Sequence, residues 1–357
     1  MTERIPVFRP RLVPASHYLH RLEKIDLARV YTNFGEQSEE FAGRVADHFN
    51  VDAAQVVLGS SATSLLTGAA TLLQGDKYYC PAWTFAATPL ALSNSGSSIA
   101  FVDVDPESHI ANFSEVQTGS HVVVVSPFGK AVTIGAEFNR FRSVIVDAAA
   151  SVAHPTQISG GFSNIDSLIE VYSFHATKIL GIGEGSAAIV RNKQLASRLR
   201  AWTNFGFNGH RVSDQAGSNA KMSEFSAAIG CETFAQAGAE FLDWQEARTK
   251  ARAVEFKLGL SPFFDSDDHI APYWIAKLPP HVSVQAVSQR LDEKNIDSRR
   301  WWGPGCHVAP FFSAVEKVGP LKGTQKVAGT TIGLPFARDL DQDAFSRIEA
   351  ALAGILA

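Results

Sequence analysis

Two short runs, "HVVVVSPFG" (121–129) and "SVIVDAAAS" (143–151), are apolar on consecutive residues rather than alternate ones. A strand with one face in water alternates apolar and polar side chains. A strand that is apolar throughout has both faces covered, as in a parallel sheet enclosed by helices. The neighbouring sequence supplies those helices. "QVVLGSSATSLLTGAATLL" passes from a β-branched run through Gly-Ser-Ser into a small-residue helix. "DKYYCPAWTFAATPLALSNSGSSIAFVDVD" reads as strand, turn, helix, glycine stop and strand, and Phe41, Val45 and Phe49 fall at helical spacing within 37–49. Strands alternating with helices specify a doubly wound α/β domain with right-handed crossovers.

After about Met222 the alternation ends. Residues 223–260 read as helical over most of their length, long enough to join two domains or to run along their junction. Beyond them, "HIAPYWIAKL", the helix-like "VSVQAVSQRLDEKN", a "TTIGLPFA" strand and a closing helix "DQDAFSRIEAALAGIL" predict a smaller α+β unit. The expected division is 1–240 for an N-terminal segment and large α/β domain, and 241–357 for a small C-terminal domain.

Composition narrows the function. Of 357 residues, 45% are apolar and 19% charged, which suits a large buried core and not a disordered chain. A net charge of −4 without a long basic run gives no footprint for nucleic acid. Cys80, Cys231 and Cys306 are too far apart and too few for a metal cluster or a disulfide framework, which points to a reducing cytoplasm. The N-terminal "MTERIPVFRPRLVP" lacks the apolar core of a secretory signal, and no apolar run approaches the ~20 residues of a membrane span. A soluble, cytoplasmic protein that binds no metal and no membrane is expected.

In a doubly wound sheet, ligands bind beyond the carboxyl ends of the strands. After "QVVL" come Gly59, Ser60, Ser61, Ala62 and Thr63, entering a helix: an anion site, or an ordinary helix cap. Asp147 ends "SVIVD" and three alanines follow, so it would approach a flat ligand or cap the next segment. Trp83, just past "KYYC", offers a stacking face or a core indole. "VYSFHATKILGIGEG" places Ser173, His175, Thr177 and Lys178 together before a glycine-rich turn. Lys178 has apolar and small neighbours, and burial would depress its amine towards a nucleophile. An anion site, a carboxylate, an aromatic face and a buried lysine on one sheet edge suit pyridoxal phosphate: a helix N-terminus for the phosphate, lysine for the aldehyde, aspartate for the pyridine nitrogen.

These segments resemble a known family. "GSSATSLL", "PAWTFAATPLALSNSGSSIAFVDVD", "VDAAAS", "SFHATKILGIGEGSAAIV" and "GSNAKMSEFSAAIG" fall in the order and approximate spacing of the DegT/DnrJ/EryC1/StrS aminotransferases, from about Tyr31 onwards. The resemblance implies a fold type I transferase: a large domain with a mostly parallel, mixed sheet flanked by helices, plus a smaller α+β domain. It implies pyridoxal 5'-phosphate, converted to pyridoxamine 5'-phosphate midway, with an amino group passing from an amino acid, commonly glutamate, to a nucleotide-linked keto sugar. By the same resemblance Lys178 is the Schiff-base lysine and acid/base, Asp147 the ring-nitrogen partner and Trp83 the stacked aromatic. Ser173, Ala62 and Thr63 would hold the phosphate. Asn219 would reach the cofactor of a second subunit, making a homodimer with shared sites.

Some positions depart from the family pattern. Ala150 stands where many relatives have glutamine, and Lys221-Met222 replaces Arg-Met. Relatives with histidine in place of the lysine are dehydratases, a reaction that Lys178 argues against. His175, Trp301 and His307, the last two in "RRWWGPGCHVAPFF", are candidates for the substrate side, with core packing as the plain alternative. A cyclitol aminotransferase is the rival enzyme, and a catalytically silent cofactor-binding regulator the rival from another class.

Overall fold

The computed structural model describes residues 3–264, 266 and 269–356; Met1, Thr2 and Ala357, the outermost residues of the two expected domains, lie outside them. The strands are β1 (Val56–Gly59), β2 (Lys77–Pro81), β3 (Ser98–Val102), β4 (His121–Val125), β5 (Thr133–Ile134), β6 (Ser143–Asp147), β7 (Gln157–Ile158), β8 (Leu168–Ser173), β9 (Ser186–Val190), β10 (Trp274–Lys277), β11 (Glu316–Lys317) and β12 (Thr331–Leu334). Eight form the main sheet in the order β1-β9-β8-β6-β4-β2-β3-β11. β9 runs antiparallel to both neighbours, and every other pairing in this sheet is parallel. The expected mostly parallel, mixed sheet is therefore present.

The consecutive apolar residues of β4 and β6 divide between two cores. Val122, Val124, Val144 and Val146 join one cluster, under the helices Glu36–Phe49 and Glu224–Ala235. Val123 and Ile145 join another, under Ala62–Leu73 and Lys193–Thr203. Burying each such side chain is worth about 1.5–3 kcal/mol, so neither face of the sheet can be left open. Gly68 permits the second layer to close. A Cβ there would stand 2.6 Å from the indole of Trp202.

The helix expected across 223–260 is two helices, Glu224–Ala235 and Ala237–Lys257, broken where Gln236 leaves helical geometry at φ −106°, ψ 8°. Packing accounts for the break. The first helix places Ala227, Cys231 and Phe234 in the main core, and the second carries Ala247, Ala251 and Val254 into a third cluster. That third core gathers β10, β12 and the helices Val284–Glu293 and Gln342–Leu356. Ile5 joins it, bonded to Asn295 and Asp297, whereas β11 extends the main sheet beside β3. Among the described residues, no helix is long and apolar enough to cross a membrane.

Candidate active site

Strand register brings the candidate residues to one edge of the sheet. Asp147 ends β6 opposite Val125 and Val171. Ser173 ends β8 opposite Ser186, and Ser186 in turn faces Gly59 at the end of β1. The helix Ala62–Leu73 starts directly beyond Gly59. Ser61 caps it, its hydroxyl accepting from the Ser64 N–H at 3.2 Å. A helix leaves its first N–H groups unpaired, and the cap covers only one of them. Ala62 and Thr63 hold two of the others, so the cap leaves N–H groups that an anion could meet. Ser173 accepts from the His175 N–H at 3.2 Å and keeps its own proton to donate.

Asp147 is buried. Its carboxylate accepts from the Thr88 hydroxyl at 2.6 Å and the Ala149 N–H at 3.2 Å, and Thr88 is itself within 2.9 Å of the Thr84 hydroxyl. Burial pushes the carboxyl pKa above its ordinary value, against the opposing pull of Thr88, Ala149 and the Lys178 charge. A buried acid with two neutral donors is short of a cation, and a protonated ring nitrogen would supply one. The Ser126 hydroxyl, beyond β4, is buried without a hydrogen-bond partner among the described residues, as expected beside a polar ligand. The anion cradle, the acid and the orphaned hydroxyl all fit pyridoxal phosphate.

Lys178 differs from the expectation of full burial. Phe174, Ile179 and Leu180 are buried, but Lys178 itself is half-buried. Its Nζ donates to Tyr273 Oη at 2.6 Å and lies 5.1 Å from the ring centroid. Tyr273 was not apparent from the sequence because it stands 95 residues away, just before β10.

Tyr273 also belongs to an aromatic wall. Trp301 meets it edge-on at 5.2 Å, and Phe8 packs on Trp301 at 4.8 Å. Trp302 stacks on Phe128 at 4.1 Å and 15°, and both present edges or faces to Trp83. Trp83 is thus a core residue, and Trp301 is a half-buried one packed against the same cluster. Phe128 was missed although "SPFG" follows a strand end, the criterion that found Trp83. Phe128 and Gly129 both have positive φ, 56° and 94°, and a Cβ on Gly129 would come 2.6 Å from the carbonyl of Ala150.

The remaining candidates sit in local turns. His175 Nδ1 accepts from the Thr177 N–H at 3.2 Å, which assigns the ring proton to Nε2, 3.8 Å from Glu184. His307 is buried, its Nδ1 has no partner among the described residues, and burial lowers its pKa. Its neighbour Cys306 is tied to Ala82 and Thr84. Asn219 is exposed and accepts from Lys221, while the next residue, Ala220, accepts from the Ser60 N–H of the cradle.

The sequence profile of the DegT/DnrJ/EryC1/StrS aminotransferase family matches residues 15–353. The dTDP-4-amino-4,6-dideoxy-D-glucose transaminase of Shigella dysenteriae is 24% identical over 99% of both chains. A crystal structure of a putative PLP-dependent aminotransferase from Bacillus cereus superposes with a TM-score of 0.87 at 27% identity, over 98% of this chain and 100% of that one. The structure of DesI with its TDP-sugar product gives 0.85 at 25% identity, over 100% and 94%. This chain belongs to the DegT/DnrJ/EryC1/StrS family, and it is a pyridoxal phosphate-dependent enzyme of the sugar aminotransferase class.

Proposed function

We propose that the protein transfers an amino group from L-glutamate to a nucleotide-linked keto-deoxysugar. The product would serve amino-sugar biosynthesis, for a surface polysaccharide such as lipopolysaccharide O-antigen or for a secondary metabolite. One observation carries this reading: the Lys178 amine on Tyr273, at the same sheet edge as the Asp147 carboxylate and the helix N-terminus at Ala62. The transaminase from Shigella and the sugar-bound DesI structure support the choice of acceptor.

Bound pyridoxal phosphate supplies an electron sink for the charge left when the donor's α-carbon loses its proton. Lys178 would hold the cofactor, and its Nζ would take that proton as general base and return it as general acid. Tyr273 Oη orients the amine between those roles. Asp147 would keep the ring nitrogen protonated, Thr88 and Ala149 fixing its carboxylate. Ala62, Thr63 and Ser173 would bind the phosphate, and Trp83 would cover the ring. His175, Trp301 and His307 would lie towards the sugar. Asn219, exposed on a single chain, would complete the cradle of a second subunit in a cytoplasmic homodimer. The division at 240/241 would place the aromatic wall at the domain junction, since Phe128 lies before it and Trp302 after it.

The test is to incubate the cofactor-loaded protein with glutamate and dTDP-linked or GDP-linked 4-keto-6-deoxysugars, following 2-oxoglutarate and the aminated sugar by mass spectrometry. An aminated nucleotide sugar is expected. Amination of free cyclitol ketones alone would favour that rival, and no transfer from any amino acid would favour a silent regulator.

A further inference from the structure

Beside the Lys178 turn lies a narrow cleft walled by the N-terminal arm, residues 176–181, the broken helix pair and the chain after β12. Its free volume of about 30 Å³ has room for a carboxylate-sized group. Lys178 is on its wall but Asp147, Ser173, Ala62, Thr63 and Trp83 are not, so it adjoins the cofactor cradle on the lysine side without coinciding with it. Four cations, Arg9, Arg11, Lys178 and Arg338, share its walls with one acid, Glu240. Glu240 pairs with Arg338, which also donates to the Arg11 carbonyl at 3.2 Å. The guanidiniums of Arg9 and Arg11 have no acidic partner among the described residues.

A second observation points to a ligand. Thr233, another wall residue, is 4% exposed, and its Oγ1 has no hydrogen-bond partner among the described residues. A threonine within a helix usually bonds back to a carbonyl one turn earlier. Leaving a buried hydroxyl unpaired is costly, and such groups are rare without a ligand or water to meet them. Arg338 is also held below its ordinary pKa, first by burial and then by the Arg11 charge. An anion in the cleft would relieve both.

We infer that this cleft binds one small oxyanion, a carboxylate or a phosphate group, between Arg9, Arg11 and the Thr233 hydroxyl, with Arg338 behind it. The oxyanion has two possible sources: the side-chain carboxylate of the amino donor, or a free anion acting on the Lys178 turn. Only the donor source rests on the proposed aminotransfer reaction, because anion binding is measurable without turnover.

The experiment is calorimetric titration of the full, cofactor-loaded chain with succinate and with inorganic phosphate, using chloride as control. Saturable one-site binding is expected, weakened about tenfold in both Thr233→Val and Arg11→Gln, the loss expected for one hydrogen bond to a charged group. These variants leave the Arg338–Glu240 pair intact, and circular dichroism checks their folding. A tenfold rise in KM for the amino donor, with KM for the acceptor unchanged, would support the donor as the source. Weakened binding with both KM values unchanged would support a free anion. Absence of saturable binding by the parent protein, or binding unchanged in both variants, would overturn the inference.

Discussion

Asp147, Ser173, Ala62 and Thr63 sit at or just past strand ends, and backbone register places them. Phe8, Phe128, Tyr273 and the Trp301–Trp302 pair come from segments distant along the chain and meet through side-chain packing, with backbone bonds such as Val7–Phe336 and Arg299–Gly333 beside them. The polar half of the candidate site is therefore an extension of the main sheet, present once the sheet forms. The aromatic half exists only when the separate segments close on one another. Changes to the first should affect chemistry and spare the fold; changes to the second should affect stability and acceptor recognition together.

The largest effect is expected from Lys178→Ala. Removing the general acid/base should lower amino transfer by about 10⁴-fold, the upper end of what such a group supplies, with the far-UV circular dichroism unchanged. A large loss of folded protein would erase the contrast between the halves. Asp147→Asn keeps shape and removes charge, and a loss of about 10²–10³-fold in kcat, the scale of one preorganised electrostatic contact, is expected in steady-state assays.

Trp302→Ala probes the other half. It removes the ring stacked on Phe128 and edge-on to Trp83, and urea unfolding should show a loss of about 2–3 kcal/mol, below the ~3–5 of a fully buried tryptophan because Trp302 is half-buried. KM for the acceptor should rise, while conversion of the amino donor alone changes little.

The aromatic half also has a pH signature. His269 is buried, stacks on His154 at 4.1 Å and on Phe264 at 4.3 Å, and donates through Nε2 to the Gly129 carbonyl at 2.9 Å. Burial, then the neighbouring His154, lower its pKa to about 3. Between the ordinary value near 6.5 and 3, the unfolded chain binds more protons than the folded one. The stabilising contribution is therefore full above pH 6.5 and declines as pH falls, by up to about 1.4 kcal/mol per unit. Asp147, raised by burial, has the opposite sign. Unfolding measured at pH 7 and pH 5 should show the decline, and His269→Phe should flatten it.

The smallest effect is expected at the link between the halves. Tyr273→Phe keeps the ring against Trp301 and Phe8 but removes the hydroxyl that accepts the hydrogen bond from Lys178 Nζ. A fall in kcat of about 3–10-fold with little change in stability is the scale of one hydrogen bond. An altered pH profile of kcat would separate orientation of the amine from simple packing.

The same contrast explains what was legible in the sequence. The apolar runs of β4 and β6 announced a sheet covered on both faces, and the residues after the strand ends led to Asp147, Ser173 and Ala62. Those signals are local, because a strand end and the turn after it are contiguous. Thr88, the partner of Asp147, lies on a helix between other strands, and Tyr273 lies three helices beyond Lys178, so no local pattern marks either. The break at Gln236 was hidden for a related reason. Its neighbours favour helix on both sides, and only the need to fill two cores turns the chain. Lys178 read as wholly buried because its neighbours are, whereas its own side chain runs to a hydroxyl.

The most direct test is a spectrophotometric titration of pyridoxal phosphate into the parent protein, Ser173→Ala and Trp302→Ala. If register alone builds the cofactor cradle, Ser173→Ala should raise the cofactor Kd about tenfold, the loss of one hydrogen bond to phosphate. Trp302→Ala, compared under conditions where it stays folded, should leave Kd within about twofold, a change worth less than one hydrogen bond. Equal weakening by the two substitutions, or weakening by Trp302→Ala alone, would contradict the account.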